Sequence, residues 1–130
     1  LLLGNHTSWI DWLILQYPLE KRVSFLMNKE VYNWRFFHSI FKMGRAIPVS
    51  SRGAKDAFVE IHKRLKDKEI VALFPEGAIT TDGELGKFYK GYEIIPKDFD
   101  GVIIPFFIDG VFGSRFAKYK QKKLLDLDEI

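Results

Sequence analysis

Short, continuously apolar runs alternate along this chain with stretches whose apolar residues recur at helical spacing. The apolar runs predict β-strands, and they lie at residues 1–4, 22–27, 46–49, 69–74 and 102–108. The helical stretches begin near residue 12 and continue at 29–43, 54–66 and 89–95. Strands that alternate with helices predict an α/β domain, a single layered unit in which helices cover a largely parallel, or mixed, sheet.

Three of the predicted strands carry features that indicate their place in the sheet. The run that ends at Phe74 is continuously apolar, which is typical of a strand covered on both faces. Residues 102–108 are predicted to be a second buried strand, although Pro105 interrupts its hydrogen-bond ladder. Pro48 favours an edge position or a strand end, because proline has no N–H to donate.

Composition limits the classes of protein and site. The 130 residues suffice for one domain, and 47% hydrophobic with 28% charged residues describes a globular chain. The absence of cysteine excludes thiol nucleophiles, zinc thiolate sites and disulfides. A net charge of +3 suits anionic lipid or phosphate ligands and is too small to indicate nucleic acid. Because the chain opens at Leu1 inside a predicted strand, we expect residues 1–130 to be one domain truncated at its N-terminus.

His6 and Asp11 lie five positions apart where the first predicted strand gives way to a helix. A histidine is suited to proton abstraction near neutral pH, and a carboxylate on its other ring nitrogen fixes the tautomer. A purely structural interpretation is also open. Ser8 and Asp11 fit a capping box, with Ser8 as the N-cap and Asp11 in the first helical turn. Since a carboxylate has two oxygens, it can cap the helix and orient His6 together.

Arg52 lies between a short strand and the clearest predicted helix. With Ser51 as N-cap, free backbone N–H groups beside the guanidinium would form a phosphate site. The alternative is an ordinary capped helix with a surface arginine. The Gly-x-x-x-x-Gly-Lys spacing of a P-loop is absent from this stretch.

Glu76 and Gly77 end the continuous apolar strand. Glu76 is a candidate for three roles: bonding a substrate hydroxyl, pairing with Arg52, or bonding the amides of the turn. Farther along, Lys90 is a candidate contact for an anionic ligand, with simple solvation as its alternative.

Taken in order, these segments resemble the signatures of the glycerolipid acyltransferase family, also called the lysophospholipid acyltransferase family. Asn5, His6 and Asp11 match its Asn-His-x-x-x-x-Asp signature. The other resembling segments are residues 44–52, 74–77, 88–91 and 103–105. The resemblance implies a glycerol-3-phosphate acyltransferase-like fold and an acyltransferase domain over the chain.

A finer resemblance rests on residues 51–55 and 108–110. These look like the acyltransferase portion of bacterial bifunctional proteins that couple a 2-acylglycerophosphoethanolamine acyltransferase to an acyl-carrier-protein synthetase. Residues 78–80 depart from the family, whose members often place a basic residue there. That departure weakens the case for lysophosphatidic acid, 1-acylglycerol-3-phosphate, as the acceptor.

What the resemblance implies is transfer of a fatty acyl group from acyl-CoA or acyl-ACP to the free hydroxyl of a lysophospholipid. His6 would act as general base and Asp11 would hold its imidazole, with no metal or cofactor. Arg52 would bind the acceptor phosphate, while Glu76, Gly77 and Lys90 would contact its polar head. The expected partners are the acyl thioester, the lysophospholipid, a membrane surface and, as a candidate, acyl carrier protein. The expected location is the cytoplasmic face of the membrane.

Two other functions remain open on the sequence. One is a non-catalytic module that binds lipid or an acyl carrier, and the other is thioester hydrolysis with water as acceptor. The aromatic residues Trp9, Trp12, Phe36, Phe37 and Phe41 are candidates either for a lipid-facing patch or for the core.

Overall fold

The computed structural model describes residues 1–50 and 52–118. Five strands alternate with helices along the chain. The strands are β1 (Leu2–Gly4), β2 (Val23–Asn28), β3 (Ile47–Val49), β4 (Ile70–Leu73) and β5 (Ile104–Phe106). The helices are α1 (Asp11–Gln16), α2 (Lys29–Tyr32), α3 (His38–Met43), α4 (Ala54–Lys66) and a 3-10 helix (Lys90–Asp98).

The strands form one sheet in the order β3-β2-β4-β1-β5, and every ladder between them is parallel. In β1, Leu2 pairs with Ala72 on one side and with Ile104 on the other. The predicted α/β fold with a largely parallel sheet is therefore confirmed. Because all five strands run the same way, their carboxyl ends meet at one edge, where open α/β sheets bind ligands.

Side-chain alternation along β4 divides the core between the two faces of the sheet. Val71 and Leu73 join a cluster with residues of α4, while Ala72 joins a second cluster against which α1 packs. As the central strand, β4 is covered on both faces, as its continuous apolar run predicted. The 3-10 helix adds Ile95, which is buried in the cluster beneath α4.

The helix predicted over residues 29–43 is instead two short helices separated by a turn. Asn28 starts α2 by accepting a hydrogen bond from the Glu30 N–H at 2.8 Å, and α2 ends at Asn33. The intervening sequence, residues 33–37, is asparagine followed by three aromatic residues and an arginine, and most of these have modest helix propensity. The apolar spacing indicated helical structure in this segment, but it did not reveal the break.

Both edge strands contain proline, but only one edge was anticipated. Pro48 lies in β3 at the sheet edge, as predicted. The prediction of a buried strand at 102–108 is wrong, because β5 is a three-residue edge strand paired only with β1. Val102 and Phe107, on either side of it, are 72% and 71% exposed. An apolar run identifies a strand but does not say how many faces the fold covers.

Among residues 1–50 and 52–118, none of the helices combines the length and apolar character needed to cross a bilayer.

Candidate active site

Three of the predicted site residues follow strands at the carboxyl edge of the sheet. His6 comes two residues after β1, Glu76 three residues after β4, and Arg52 three residues after β3. Since β1 and β4 are neighbours in the sheet, His6 and Glu76 follow adjacent strand ends. β3 lies three strands from β1, so these two strands are about 14 Å apart at a strand spacing of about 4.8 Å.

His6 and Asp11 form the dyad that their spacing predicted. The Nδ1 of His6 lies 2.8 Å from the Oδ2 of Asp11, whose side chain is fully buried. Four further hydrogen bonds reach the same carboxylate from the backbone N–H and hydroxyl groups of Thr7 and Ser8. The turn 6–8 thus surrounds Asp11 with donors, and His6 supplies one of them.

The predicted capping box is wrong, and the Asp11 carboxylate instead binds His6 and the turn before the helix. α1 begins at Asp11 itself after Ile10, and no side chain caps it. Ser8 is therefore not the N-cap. Its hydroxyl donates to Asp11 and accepts weakly from the Ile10 N–H at 3.3 Å.

Opposing effects act on the pKa of Asp11. Burial is the largest single cause and would raise the pKa by disfavouring the charged form. The hydrogen bonds from His6, from the Ser8 hydroxyl and from the backbone of Ser8 and Thr7 act together in the other direction. Their sum lowers the pKa of Asp11 below its ordinary value. The carboxylate is therefore ionised at neutral pH, so it accepts a proton-bearing Nδ1 and leaves Nε2 of His6 as the basic nitrogen.

Phe74 fixes the plane of the His6 ring. The two rings stack with centroids 4.3 Å apart and an interplanar angle of 14°. The imidazole is held at its edge by Asp11 and on one face by Phe74, yet its side chain stays 24% exposed. The ring is therefore oriented by its neighbours and still partly accessible to solvent.

Glu76 holds the backbone of His6. Its Oε1 accepts the His6 N–H at 2.8 Å, and its Oε2 accepts the Gly86 N–H at 2.7 Å. The carbonyl of His6 accepts from the Thr80 N–H at 2.9 Å, so both backbone groups of His6 bind residues 76–80. Of the three roles open to Glu76, the structure shows bonding to turn amides. No ion pair joins it to Arg52 within residues 1–50 and 52–118.

Two glycines allow the loop after β4 to close around the Glu76 carboxylate. Gly77 has a φ of +68°, and a Cβ there would lie 3.1 Å from the Tyr89 ring. A Cβ at Gly86 would lie 2.9 Å from Oε2 of Glu76. The Tyr89 N–H also donates to the Pro75 carbonyl at 2.9 Å. This bond brings Lys90, the next residue, beside the same loop.

The two predicted cationic contacts are exposed. Neither the Arg52 nor the Lys90 side chain makes a hydrogen bond or ion pair within the part of the chain that the structure describes. Ser51, the predicted N-cap of α4, lies outside the described residues. The N-cap of α4 is Gly53, whose N–H donates to the Ser50 hydroxyl at 3.1 Å. The structure therefore brings His6, Asp11, Glu76 and Gly77 together. The side chains of Arg52 and Lys90 are exposed to solvent.

Asn5 is a site residue to which the sequence reasoning gave no role. It is buried, its Nδ2 donates to the Ile108 carbonyl at 2.8 Å, and its Oδ1 accepts the Ile108 N–H at 2.6 Å. This pair of bonds fastens the end of β5 beside the turn that carries His6. A polar residue directly after an apolar strand was the available signal, but its partner lies 103 positions away.

No group of three or more His, Cys, Asp or Glu side chains in the described ranges is arranged to hold a metal ion. His6 and Asp11 form a histidine–carboxylate pair in which Nε2 has no hydrogen-bond partner among residues 1–50 and 52–118, an arrangement suited to general-base chemistry.

Comparison with known proteins agrees with this geometry. The acyltransferase family profile matches residues 1–109. A relative, the lyso-ornithine lipid O-acyltransferase of Rhizobium meliloti (strain 1021), is 29% identical over an alignment of 132 positions. The alignment covers 92% of this chain and 44% of the relative, so the chain spans less than half of that protein's length. No solved structure gives a significant match. The family profile covers most of the chain and includes the His6–Asp11 dyad and the Glu76 loop, and the chain therefore belongs to the acyltransferase family.

Proposed function

We propose that this chain transfers an acyl group from an acyl thioester to a hydroxyl group of a lyso-lipid, with His6 as the general base. The observation that carries the proposal is the His6–Asp11 pair. A fully buried carboxylate binds Nδ1, and the His6 side chain remains 24% exposed. Family membership supports the acyl transfer, and the relative's name supports a lipid acceptor.

The proposed reaction needs only the groups already described. Nε2 of His6 accepts the proton of the acceptor hydroxyl while the hydroxyl oxygen attacks the thioester carbonyl. The new C–O bond gives a tetrahedral intermediate, and Asp11 stabilises the imidazolium that has formed. The C–S bond then breaks, the electron pair leaves with sulfur, and the imidazolium returns its proton to the thiolate. The products are an ester and a free thiol.

The contacts around His6 support its proposed role as a base, because they fix the position of its ring. A general base typically contributes about 10²–10⁴-fold to the rate, and only when it lies within hydrogen-bond reach of the proton. Asp11 and Phe74 orient the ring of His6, while Glu76 and Thr80 bind its backbone. The imidazole therefore reaches its reactive position without reorganisation during the reaction.

We propose that the acceptor is a lysophospholipid, with 2-acylglycerophosphoethanolamine and 1-acylglycerol-3-phosphate as the candidates. Arg52 lies at the carboxyl edge with no protein partner in the described ranges, which suits a role in binding phosphate. Lys90 beside the Glu76 loop is a second candidate contact, and Gly77 keeps that loop closed. The relative's acceptor is named for an amino acid, ornithine, so a lyso-ornithine lipid belongs in the same test.

The donor and the location complete the proposal. Acyl-CoA and acyl-ACP both carry the required thioester, and either one suits the chemistry of the site. We place the chain at the cytoplasmic face of the membrane, where lyso-lipids and soluble acyl carriers meet.

The decisive experiment measures acyl transfer by the purified chain. Radiolabelled acyl-CoA and acyl-ACP are each offered with the two lysophospholipids and with a lyso-ornithine lipid. We expect an acylated product with at least one acceptor and a loss of at least 100-fold in His6→Gln. His62→Gln, on α4, is the matched control and should keep full activity. Binding of lipid without turnover would instead identify a non-catalytic module. Release of free fatty acid regardless of acceptor would identify a thioesterase.

A further inference from the structure

One face of the protein exposes a concentration of large apolar side chains. It is formed by the start of α1 and by the segment from α2 through α3, and we call it the aromatic surface. Its exposed members are Trp9, Leu13, Trp34, Phe36, Phe37, Ile40 and Met43. Phe36 is 89% exposed and Met43 is 73% exposed, values that are unusual for such large apolar residues. Clustered exposure of this kind marks an interaction site, whereas scattered apolar residues do not.

Ring contacts join the aromatic members of this surface to one another, and Phe36, Ile40 and Met43 lie on the same short segment of the chain. Trp9 and Trp34 lie with ring centroids 6.3 Å apart, which joins the start of α1 to the turn after α2. Phe37 contacts Phe41 at 6.1 Å, and Phe41 contacts Trp12 at 6.0 Å. Phe41 is buried and Trp12 is half-buried, so these two support the surface from beneath. Of the five aromatic residues offered as a lipid-facing patch, three are therefore exposed and two pack inward.

The segment that carries most of the aromatic surface has a net positive charge. Residues 29–45 contain four Lys or Arg residues and one acidic residue, Glu30. Arg45 pairs with Glu69 at 2.7 Å. Arg35 and Lys42 are exposed beside the aromatic residues and form no ion pair within residues 1–50 and 52–118. Arg35 immediately precedes Phe36, the most exposed phenylalanine, so a cation and a large exposed apolar side chain lie in the same turn.

We propose that the aromatic surface docks this chain on an anionic lipid bilayer. Tryptophan and phenylalanine enter the headgroup boundary readily, and adjacent cations add attraction to anionic lipid. The arrangement also suits the site, because Trp9 lies three residues from His6 in the same turn. Docking by this face brings the general base to the bilayer surface. The inference rests on the membrane location proposed above. Its test is vesicle binding, which does not require acyl transfer, so the two proposals can fail separately.

The distribution of tryptophan provides a direct probe. All three tryptophans of the chain, Trp9, Trp12 and Trp34, belong to this region. Titration with phosphatidylcholine vesicles containing phosphatidylglycerol should therefore shift the intrinsic fluorescence to shorter wavelength. Lipids brominated on the acyl chain should quench it. Phosphatidylcholine vesicles alone should bind at least tenfold more weakly, because the attraction of the cations to anionic lipid is then missing.

Substitutions separate the apolar and the ionic contributions. Phe36→Ser should weaken vesicle partitioning by roughly tenfold or more, since a whole phenylalanine side chain no longer enters the lipid. Arg35→Gln and Lys42→Gln should each weaken it by roughly fivefold at low salt, and 0.5 M salt should abolish most of that difference. Because all three side chains are exposed, the circular dichroism spectrum should not change.

Matched controls lie on α4, which packs on the opposite face of the sheet from α1. Val59→Ser removes a 62% exposed apolar residue there, and Lys63→Gln removes an exposed cation. Both variants should partition like the unmodified chain.

Three results would overturn the proposal. They are equal partitioning of Phe36→Ser and Val59→Ser, equal binding to neutral and anionic vesicles, and a concentration-dependent dimer that Phe36→Ser dissociates in the absence of vesicle binding. The last result would assign the surface to a second copy of the chain. Failure of the proposed function is a different outcome. In that case vesicles bind, but no acceptor is acylated, even a short-chain acceptor dispersed in detergent.

Discussion

Replacing Asp11 with asparagine tests the charge of the buried carboxylate while keeping its shape. Asp11 accepts three hydrogen bonds from N–H groups and two from hydroxyls. The asparagine oxygen can face the three N–H groups, and its amino group can donate to the hydroxyls of Thr7 and Ser8, which rotate to accept. The number of hydrogen bonds is therefore conserved, and the negative charge is lost.

The expected loss of stability follows from those bonds. A hydrogen bond to a charged group contributes about 1.5–3 kcal/mol and a neutral one about 0.5–1.5 kcal/mol. Three weakened N–H bonds thus remove about 3 kcal/mol, and the cheaper burial of a neutral amide offsets part of this. We expect Asp11→Asn to lower the free energy of unfolding by about 1–2 kcal/mol at pH 7. Urea denaturation followed by circular dichroism measures the difference.

The pH dependence of that difference has a defined sign. The pKa of Asp11 is lower in the folded chain than in the unfolded one, where it is about 3.9. Its stabilisation is therefore complete above the unfolded pKa and is lost as the pH falls through the lowered, folded pKa. The stability gap between the unmodified chain and Asp11→Asn should narrow as the pH falls below about 4. A gap that persists unchanged at pH 3 would refute an ionised, hydrogen-bonded Asp11.

The same variant separates orientation from charge in the proposed reaction. The asparagine oxygen still accepts from Nδ1 of His6, so the tautomer is retained. The imidazolium formed during transfer, however, no longer faces a negative charge. We expect kcat for acyl transfer to fall by about 10²-fold or more with little change in the KM of the acceptor.

Three further substitutions test the surroundings of the base. Glu76→Gln leaves one backbone N–H facing an amino group, so we expect unfolding to become easier by about 1–3 kcal/mol and kcat to fall. A rise in acceptor KM at unchanged kcat would instead show that Glu76 contacts substrate. Phe74→Ala removes the ring stacked on His6, and we expect a lower kcat together with a loss of about 3–4 kcal/mol in urea denaturation. Equal kcat in this variant would show that stacking does not orient the base. Arg52→Gln should raise the KM of a lysophospholipid at least tenfold and leave that of a phosphate-free acceptor unchanged, and equal effects on both would exclude a phosphate contact.

The sequence predicted the features that depend on neighbouring residues. Alternating apolar runs and helical spacing indicated the parallel sheet, because side-chain periodicity is a local consequence of backbone geometry. Pro48 indicated an edge strand for an equally local reason, its missing N–H. His6 lies in the turn after β1, and Asp11 is the first residue of α1. The candidate dyad could therefore be recognised within a seven-residue stretch.

The break at residues 33–37 and the start of α1 are local features that the pattern missed, whereas the other missed features depend on residues distant in sequence. The exposure of β5 is set by its pairing with β1 alone, and nothing in an apolar run reports how many neighbours a strand has. The bonds between Asn5 and Ile108 join residues 103 positions apart. Gly86 carries no sign that its N–H binds Glu76. In each case the chain's local pattern is compatible with several partners, and only the tertiary arrangement selects one.

His6 is held both by a residue near it in sequence and by residues far from it. The ring of His6 is oriented by Asp11 from its own turn, whereas its backbone N–H and carbonyl bind Glu76 and Thr80 from the loop after β4. Both sets of contacts are needed for the proposed role, because a well-oriented ring on a displaced backbone would miss the proton that it is proposed to accept. β1 and β4 are adjacent in the sheet, and this adjacency puts the loop within hydrogen-bond distance of the turn. The parallel pairing of these two strands is thus what brings two separate sequence motifs together at the proposed active site.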